Sequence, residues 1–184
     1  MNKNVIIRKV QTKDAEGFET LVNKVWRIAY KDIFPEEVFV EKENKLEKKI
    51  STFDTRIKND DKNISYVAEC DGKIVGIMCG NINSGYDYFK NDYAELNSIY
   101  IDPDFQGMGI ASEFKNIFEE WAISNGATKY SLAVLKDNFK ARKVYEAWHG
   151  NLSDHEENFE KLGISYTEVF YTYDLVLKKE LNKK

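Results

Sequence analysis

Residues 94–121 read AELNSIYIDPDFQGMGIASEFKNIFEEW: an alternating strand, a glycine-bearing turn and an amphipathic helix. Between Leu96 and Ile101 the apolar residues fit an extended strand. Asp102-Pro103 ends it, because proline fixes φ and has no N–H for a central ladder. Ile110, Phe114, Ile117, Phe118 and Trp121 then recur at the spacing of one helical stripe. Between strand and helix lies Gln106-Gly107-Met108-Gly109-Ile110-Ala111, with two glycines where the backbone bends and leaves N–H groups uncovered. Such a turn at a helix N-terminus attracts anions, since the free N–H groups and the positive end of the helix dipole point the same way.

Working outward, Val5 to Val10 reads as a first strand. Thr12 offers an N-cap, Asp14 and Glu16 suit the start of a helix, and Phe18, Leu21, Val22, Val25, Trp26 and Ala29 form its stripe. The aromatic-rich stretch Trp26 to Pro35 follows, then a charged helical segment from Pro35 to about Lys58 with a solvated face. Ser65 to Glu69 and Lys73 to Gly80 are strands joined by Asp71-Gly72, a pair suited to the positive φ angles of a tight hairpin. Beyond the central helix, Asn125-Gly126 is a stop and Tyr130 to Leu135 a strand, so strand, helix and strand imply a parallel pair with a right-handed crossover. Asn138 can cap a last helix, with Ala141, Val144, Tyr145 and Trp148 on one face and Gly150 at its end. Asn151 to Glu160 and Ile164 to Leu177 read as two antiparallel strands, and Lys178 to Lys184 as a frayed tail. The element order is β-α-α-β-β-β-α-β-α-β-β, which makes an α+β (mixed α/β) fold.

Composition narrows the function. The 184 residues suit a single domain, 1–184, with a real core, and two prolines and ten glycines leave no linker. A net charge of -4 and a pI near 5.4 argue against nucleic acid, which needs a clustered basic surface. No window approaches a membrane span and no signal-peptide core follows Met1. Cys70 and Cys79 lack the spacing and the histidine company of a metal site, so reduced thiols, no metal and a cytoplasmic location are expected.

The element order and the turn resemble the GCN5-related N-acetyltransferase (GNAT) family. That family's signature is Arg or Gln, two residues, Gly, one residue, then Gly or Ala; Gln106, Gly109 and Ala111 occupy those places. Asn138, Ala141 and Tyr145 resemble a second family element around the fourth helix. The similarity runs from Val5 to about Leu175 and is specific between Ala94 and Gly150. It implies a central mixed, largely antiparallel twisted sheet of about seven strands with four helices, and transfer of an acetyl group from acetyl-CoA to an amine. Met108 stands where many relatives carry Lys or Arg, which removes one cationic contact to the pyrophosphate but leaves the backbone cradle intact. Trp148-His149-Gly150-Asn151 replaces the Gly-Phe of many relatives, so the acceptor surface differs accordingly.

The resemblance assigns coenzyme A binding to Gln106, Gly107, Met108, Gly109, Ile110 and Ala111, with Asn138 on the pantetheine arm. Backbone N–H groups of Ile99, Tyr100 and Ile101, where the fourth strand splays from the fifth, would face the developing oxyanion. Tyr145 would protonate the leaving thiolate; a core aromatic is its other reading. Glu95 is the candidate base, or else a solvent-facing residue of an alternating strand, while Asp102 suits the turn. Trp26, Tyr30 and Phe34, with Tyr171 or Tyr173, would line the acceptor pocket. His149 and His155 are placed on the surface. Lys140, Arg142 and Lys143 either meet the coenzyme's 3′-phosphate or form a charged outer face. The partners implied are a small-molecule or peptide amine and a possible homodimer.

Two other functions fit parts of the chain. A non-catalytic acyl-CoA sensor would share the fold. A dinucleotide-binding oxidoreductase would use Gly107-Met108-Gly109, but the third glycine and the run of strand–helix units are missing.

Overall fold

The computed structural model describes residues 4–176; the tail expected at 178–184 lies outside them. The strands are β1 (Val5–Lys9), β2 (Asn63–Cys70), β3 (Lys73–Asn81), β4 (Ala94–Ile101), β5 (Lys129–Leu135), β6 (Asn151–Lys161) and β7 (Ile164–Asp174). The helices are α1 (Ala15–Tyr30), α2 (Glu36–Asn44), α3 (Leu46–Ser51), α4 (Phe53–Arg56), α5 (Ile110–Ser124) and α6 (Phe139–Ala147). One seven-stranded sheet has the order β1-β2-β3-β4-β5-β7-β6. Antiparallel β1–β2, β5–β7 and β6–β7 pairs and a parallel β4–β5 pair make it mixed, as the sequence implies. Among the described residues no helix is long and apolar enough to cross a membrane.

The chain divides into two compact units, and β4 and α5 contribute residues to both. The first unit comprises residues up to Gly80 together with Ser98–Phe118. Its core gathers Phe18, Leu21, Val22 and Val25 of α1 with Phe53, Val67 and Ile77, each apolar side chain contributing about 1.5–3 kcal/mol by leaving water. Trp26 is only half-buried and Ala29 is exposed, so the buried stripe of α1 is narrower than its periodicity. Asp71 and Gly72 both take positive φ, 50° and 77°, as a tight hairpin requires. Gly76 of β3 is a close-approach glycine: an added Cβ would lie 3.2 Å from Phe114 of α5 and 3.0 Å from Ile101.

Two local expectations change in this unit. Thr12 does not cap α1; Thr12–Asp14 form a 3₁₀ turn whose Asp14 accepts the Gln11 N–H at 2.8 Å. Asp14 is drawn inward by Arg8, which holds both carboxylate oxygens at 2.7 Å. The charged segment is three short helices rather than one. The run is interrupted at Lys45, between α2 and α3, and at Thr52 (φ -104°, ψ 13°), which leaves helical geometry, and a segment with so few buried residues has little packing to keep it continuous.

The second unit comprises Asn81–Asn97 and the residues from Glu119 on. At the end of α5, Gly126 (φ 90°) lets its N–H bond the Ile123 carbonyl while Ala127 bonds that of Ala122, which satisfies the last carbonyls of the helix. Asn138 caps α6, its side chain accepting the Ala141 N–H at 3.2 Å. At the other end His149, not Gly150, takes the left-handed conformation, φ 61°. Gly150 is needed for proximity instead, because a Cβ there would lie 2.6 Å from the Tyr173 hydroxyl. The registers Ser131↔Thr172, Ala133↔Phe170 and Leu135↔Glu168 put those side chains on one face of the sheet. Tyr130, Leu132, Tyr171 and Tyr173 line the other, where Tyr130 stacks on Tyr173 at 4.5 Å.

Candidate active site

In the first unit, β4 ends where Asp102 turns the chain. Its carboxylate accepts the Asp104 N–H at 3.2 Å and Lys24 at 2.7 Å, so it is the turn residue the sequence suggests. Gln106 to Gly109 follow exposed, and α5 begins at Ile110. Gly107 and Gly109 have φ of 76° and 83°, a region that side chains disfavour, and nothing lies within 4 Å of where either Cβ would be. The backbone N–H of Glu113 donates to the Gly109 carbonyl, so the N–H groups ahead of it precede the helix's own ladder. Two left-handed glycines in open space at the head of a helix fit a pyrophosphate without any side-chain cation.

The same unit gathers three of the expected acceptor-pocket residues. Trp26 stacks on Phe34 with centroids 5.8 Å apart, and Tyr30 meets both rings at 4.9 and 5.5 Å. The Trp26 indole N–H donates to the Tyr100 hydroxyl at 2.9 Å, and the Lys42 ammonium lies 4.2 Å from the Trp26 ring. Ile99 and Tyr100 are half-buried and Ile101 is buried.

In the second unit Tyr145 is half-buried, so α6 does not place it in the core. Its ring lies 5.8 Å from those of Trp148 and Tyr171, and its carbonyl accepts the Tyr173 hydroxyl at 3.1 Å. Tyr171 is fully buried: its hydroxyl donates to Glu146 at 2.8 Å and accepts from Arg142 at 3.3 Å. Arg142 is thereby held against β7, while Lys140 and Lys143 are exposed.

Glu95 is not a solvent-facing residue. It is buried, and the Ser84 hydroxyl (3.1 Å), the Gly85 N–H (2.6 Å) and the Asn97 amide (2.7 Å) all donate to its carboxylate. The β4–β5 register comprises Ala94↔Tyr130 and Glu95↔Ser131.

Glu95 has company the sequence did not reveal. The Tyr86 hydroxyl donates to Glu168 at 2.8 Å. Burial, and then the charges of Glu157 and Glu95, hold the Glu168 carboxyl above the ordinary carboxylate range against that hydrogen bond. Burial and the charge of Glu168 push the Tyr86 phenol up in turn. His155 is half-buried rather than a free surface residue: it stacks on Tyr88 with centroids 4.0 Å apart, packs edge-on against Phe89 and meets Glu157 at 3.0 Å. His155 lies within a register shift in β6 between Leu152 and Glu156, which periodicity does not announce.

The fold and the turn define a class, a mixed seven-stranded sheet with two exposed left-handed glycines at the head of a central helix. Over residues 23–150 the chain matches the acetyltransferase (GNAT) family, and it belongs to that family. It is 35% identical over 88 residues to an acetyltransferase of Pectobacterium atrosepticum, covering 48% of this chain and 57% of that protein. The first three curated relatives are matched over 36% to 58% of their length, so the chain spans less than two thirds of each. The fold is also that of PaiA N-acetyltransferase from Thermoplasma acidophilum, solved with coenzyme A (TM-score 0.67, 16% identity, 93% of this chain and 99% of that one). YncA from Salmonella typhimurium, solved with acetyl-CoA, is similarly alike (TM-score 0.62, 16% identity, 93% and 94%). Among the described residues no group of metal-ligating side chains is assembled.

Proposed function

We propose that the protein is an N-acetyltransferase that moves an acetyl group from acetyl-CoA to a primary amine by direct attack in a ternary complex. The observation that carries this is the turn of Gln106 to Ala111, with left-handed Gly107 and Gly109 in open space before α5, inside the region matched to the family. The reading treats the chain as one acyltransferase domain, and the free thiols of Cys70 and Cys79 suit a cytoplasmic location.

Acetyl-CoA supplies the acetyl group and departs as the thiol. The backbone N–H groups of the turn hold the pyrophosphate, and the dipole of α5 adds to their pull. Asn138 fixes the start of α6 and is offered to the pantetheine arm. Backbone donors of Ile99 to Ile101 meet the carbonyl oxygen as it gains charge, which is worth about 3 kcal/mol for an oriented donor.

An alkylammonium of pKa near ~10 must lose a proton before it attacks. Glu95, fixed by three donors, takes it directly or through water. The C–N bond forms as the C–S bond breaks, and Tyr145 delivers a proton to sulfur. For each ammonium consumed, one amide, one thiol and one proton are produced.

The test is release of free thiol from acetyl-CoA with a panel of amines. Amine-dependent release with intersecting initial-rate lines is expected, and Tyr145→Phe should lower kcat about a hundredfold while coenzyme affinity persists. Coenzyme binding without turnover of any amine would contradict the proposal and favour a sensor on the same fold.

A further inference from the structure

α6 fully buries none of its residues, so apolar packing does little to fix this helix against the sheet. Polar contacts to its last turn do so instead. At the helix end the His149 N–H bonds the Glu146 carbonyl at 2.9 Å and the Gly150 N–H bonds that of Tyr145 at 3.0 Å, a paired closure that usually puts glycine in the left-handed position. Here His149 holds that position, φ 61°, and Gly150 follows it. The Tyr173 hydroxyl occupies the space a side chain would need, since a Cβ on Gly150 would lie 2.6 Å from it and 3.0 Å from the Tyr145 carbonyl. That hydroxyl donates to the same carbonyl at 3.1 Å. The Tyr145 carbonyl therefore receives both the helix closure and a tie from β7.

Tyr171 makes a second tie. It lies two residues before Tyr173 on the same face of β7. Its hydroxyl accepts from Arg142 at 3.3 Å and donates to Glu146 at 2.8 Å, and its ring lies 5.8 Å from that of Tyr145. Both phenols are themselves anchored. Tyr171 is fully buried, and Tyr173 stacks at 4.5 Å on Tyr130, whose hydroxyl donates to Glu119 at 2.8 Å. Burial pushes the Tyr173 phenol up, and the charges of Tyr145 and Glu119 add to the effect, so Tyr173 stays protonated and donates.

Closing the helix needs only the two backbone bonds; the tyrosines add ties to two consecutive residues, Tyr145 and Glu146. A proton donor works only when it is held at the reacting atom, and a misplacement of about 1 Å can cost about a hundredfold in rate. We infer that Tyr171 and Tyr173 are positioning residues for Tyr145, fixing the last turn of α6 so that the Tyr145 phenol meets the sulfur as the C–S bond breaks. This rests on the acetyl-transfer reading above, in which Tyr145 supplies that proton. The same arrangement accounts for Trp148-His149-Gly150-Asn151, whose glycine stands one place later than helix closure asks, where the Tyr173 hydroxyl needs room.

The test is a double-mutant cycle on Tyr173→Phe and Tyr145→Phe, run with acetyl-CoA and an amine that the panel shows to be turned over. Tyr173→Phe keeps the ring that stacks on Tyr130 and removes only the hydroxyl. It should lower kcat about tenfold, with the amine KM and the coenzyme affinity unchanged. On the Tyr145→Phe background, where no phenol remains to be aimed, the same change should alter kcat by less than about twofold. Tyr171→Phe should follow the same pattern. Equal losses on both backgrounds would make the ties structural only and overturn the inference while leaving acetyl transfer intact. A raised amine KM with kcat unmoved would put Tyr173 in the acceptor pocket and overturn it too. A readout independent of turnover is the NMR line of an isotopically labelled Tyr145 Cζ, identified by its loss in Tyr145→Phe. That line should be single and narrow in the wild type and broadened or split in Tyr173→Phe. An unchanged line would overturn the inference; a broadened one with no amine turned over would uphold the positioning of Tyr145 and overturn the transfer reaction instead.

Discussion

Two buried carboxylates of the first unit, Asp14 and Glu19, are met by cations, whereas Glu95 and Glu168 of the second are met by neutral donors. Asp14 is gripped by Arg8, which also reaches Glu69 at 2.6 Å, and Glu19 receives Arg56 at 2.6 Å with Lys49 at 4.0 Å. In the second unit Glu168 accepts from the Tyr86 hydroxyl, and Glu95 from a serine, an amide and a backbone N–H. Hydrogen bonds to neutral donors orient a carboxylate without cancelling its charge. The pairs of the first unit therefore read as architecture. Among the described residues Glu95 and Glu168 keep their charges without a lysine or arginine partner, at some cost in stability.

The largest effect expected from breaking this contrast is at Arg8. Arg8→Ala leaves Asp14 buried without its partner and should lower unfolding free energy by about 3 kcal/mol, measured by urea denaturation. Glu19→Gln should cost less, about 1 kcal/mol, because Arg56 and Lys49 can turn toward solvent. Glu168→Gln should act in the opposite sense and raise Tm by about 2 °C, since glutamine still accepts the Tyr86 hydroxyl but relieves the repulsion from Glu157 and Glu95.

The smallest effect, and the one that most sharpens the contrast, is the pH dependence. Burial pushes the Asp14 carboxyl up, but Arg8 and the Gln11 N–H bring it below its ordinary 3.8. Its contribution is full above that value and is lost as pH falls through the lower folded value. Glu168 lies above its ordinary 4.5, so the folded protein keeps that proton longer. Its contribution is full below 4.5 and is lost as pH rises through the folded value. Urea midpoints followed from about pH 3 to about pH 7 should show the advantage of Glu168→Gln growing with pH, and Arg8→Ala flattening the acid limb. Equal and parallel pH profiles for both variants would erase the distinction between the two units.

Much of the fold was legible because its signals are local. The stripe of α1, the Asp71-Gly72 hairpin, the glycine turn with the stripe of α5, the Gly126 stop and the Asn138 cap all depend on residues a few positions apart. The same holds for the turn proposed to hold the coenzyme, whose two glycines stand next to α5. The carboxylate group was not legible. Glu95, Glu157 and Glu168 come from three strands and meet only through strand order and the irregularity in β6. Tyr86 and Tyr88 arrive from a loop with no periodicity. The break of 35–58 into three helices was hidden because charged residues with good helix propensity carry no mark of where packing stops. Gly150 stands just past the end of α6, but the positive φ there belongs to His149, and the glycine is needed for its proximity to Tyr173.

The central claim is that the turn of Gln106 to Ala111 serves acetyl transfer to an amine. Its most direct test is to incubate the protein with acetyl-CoA and a panel of primary amines and to quantify free thiol and N-acetylated amine in the same sample. One amide per thiol is predicted, with both lost in step when Gly109→Val distorts the turn. Thiol released without amide, or undiminished amide from Gly109→Val, would contradict it.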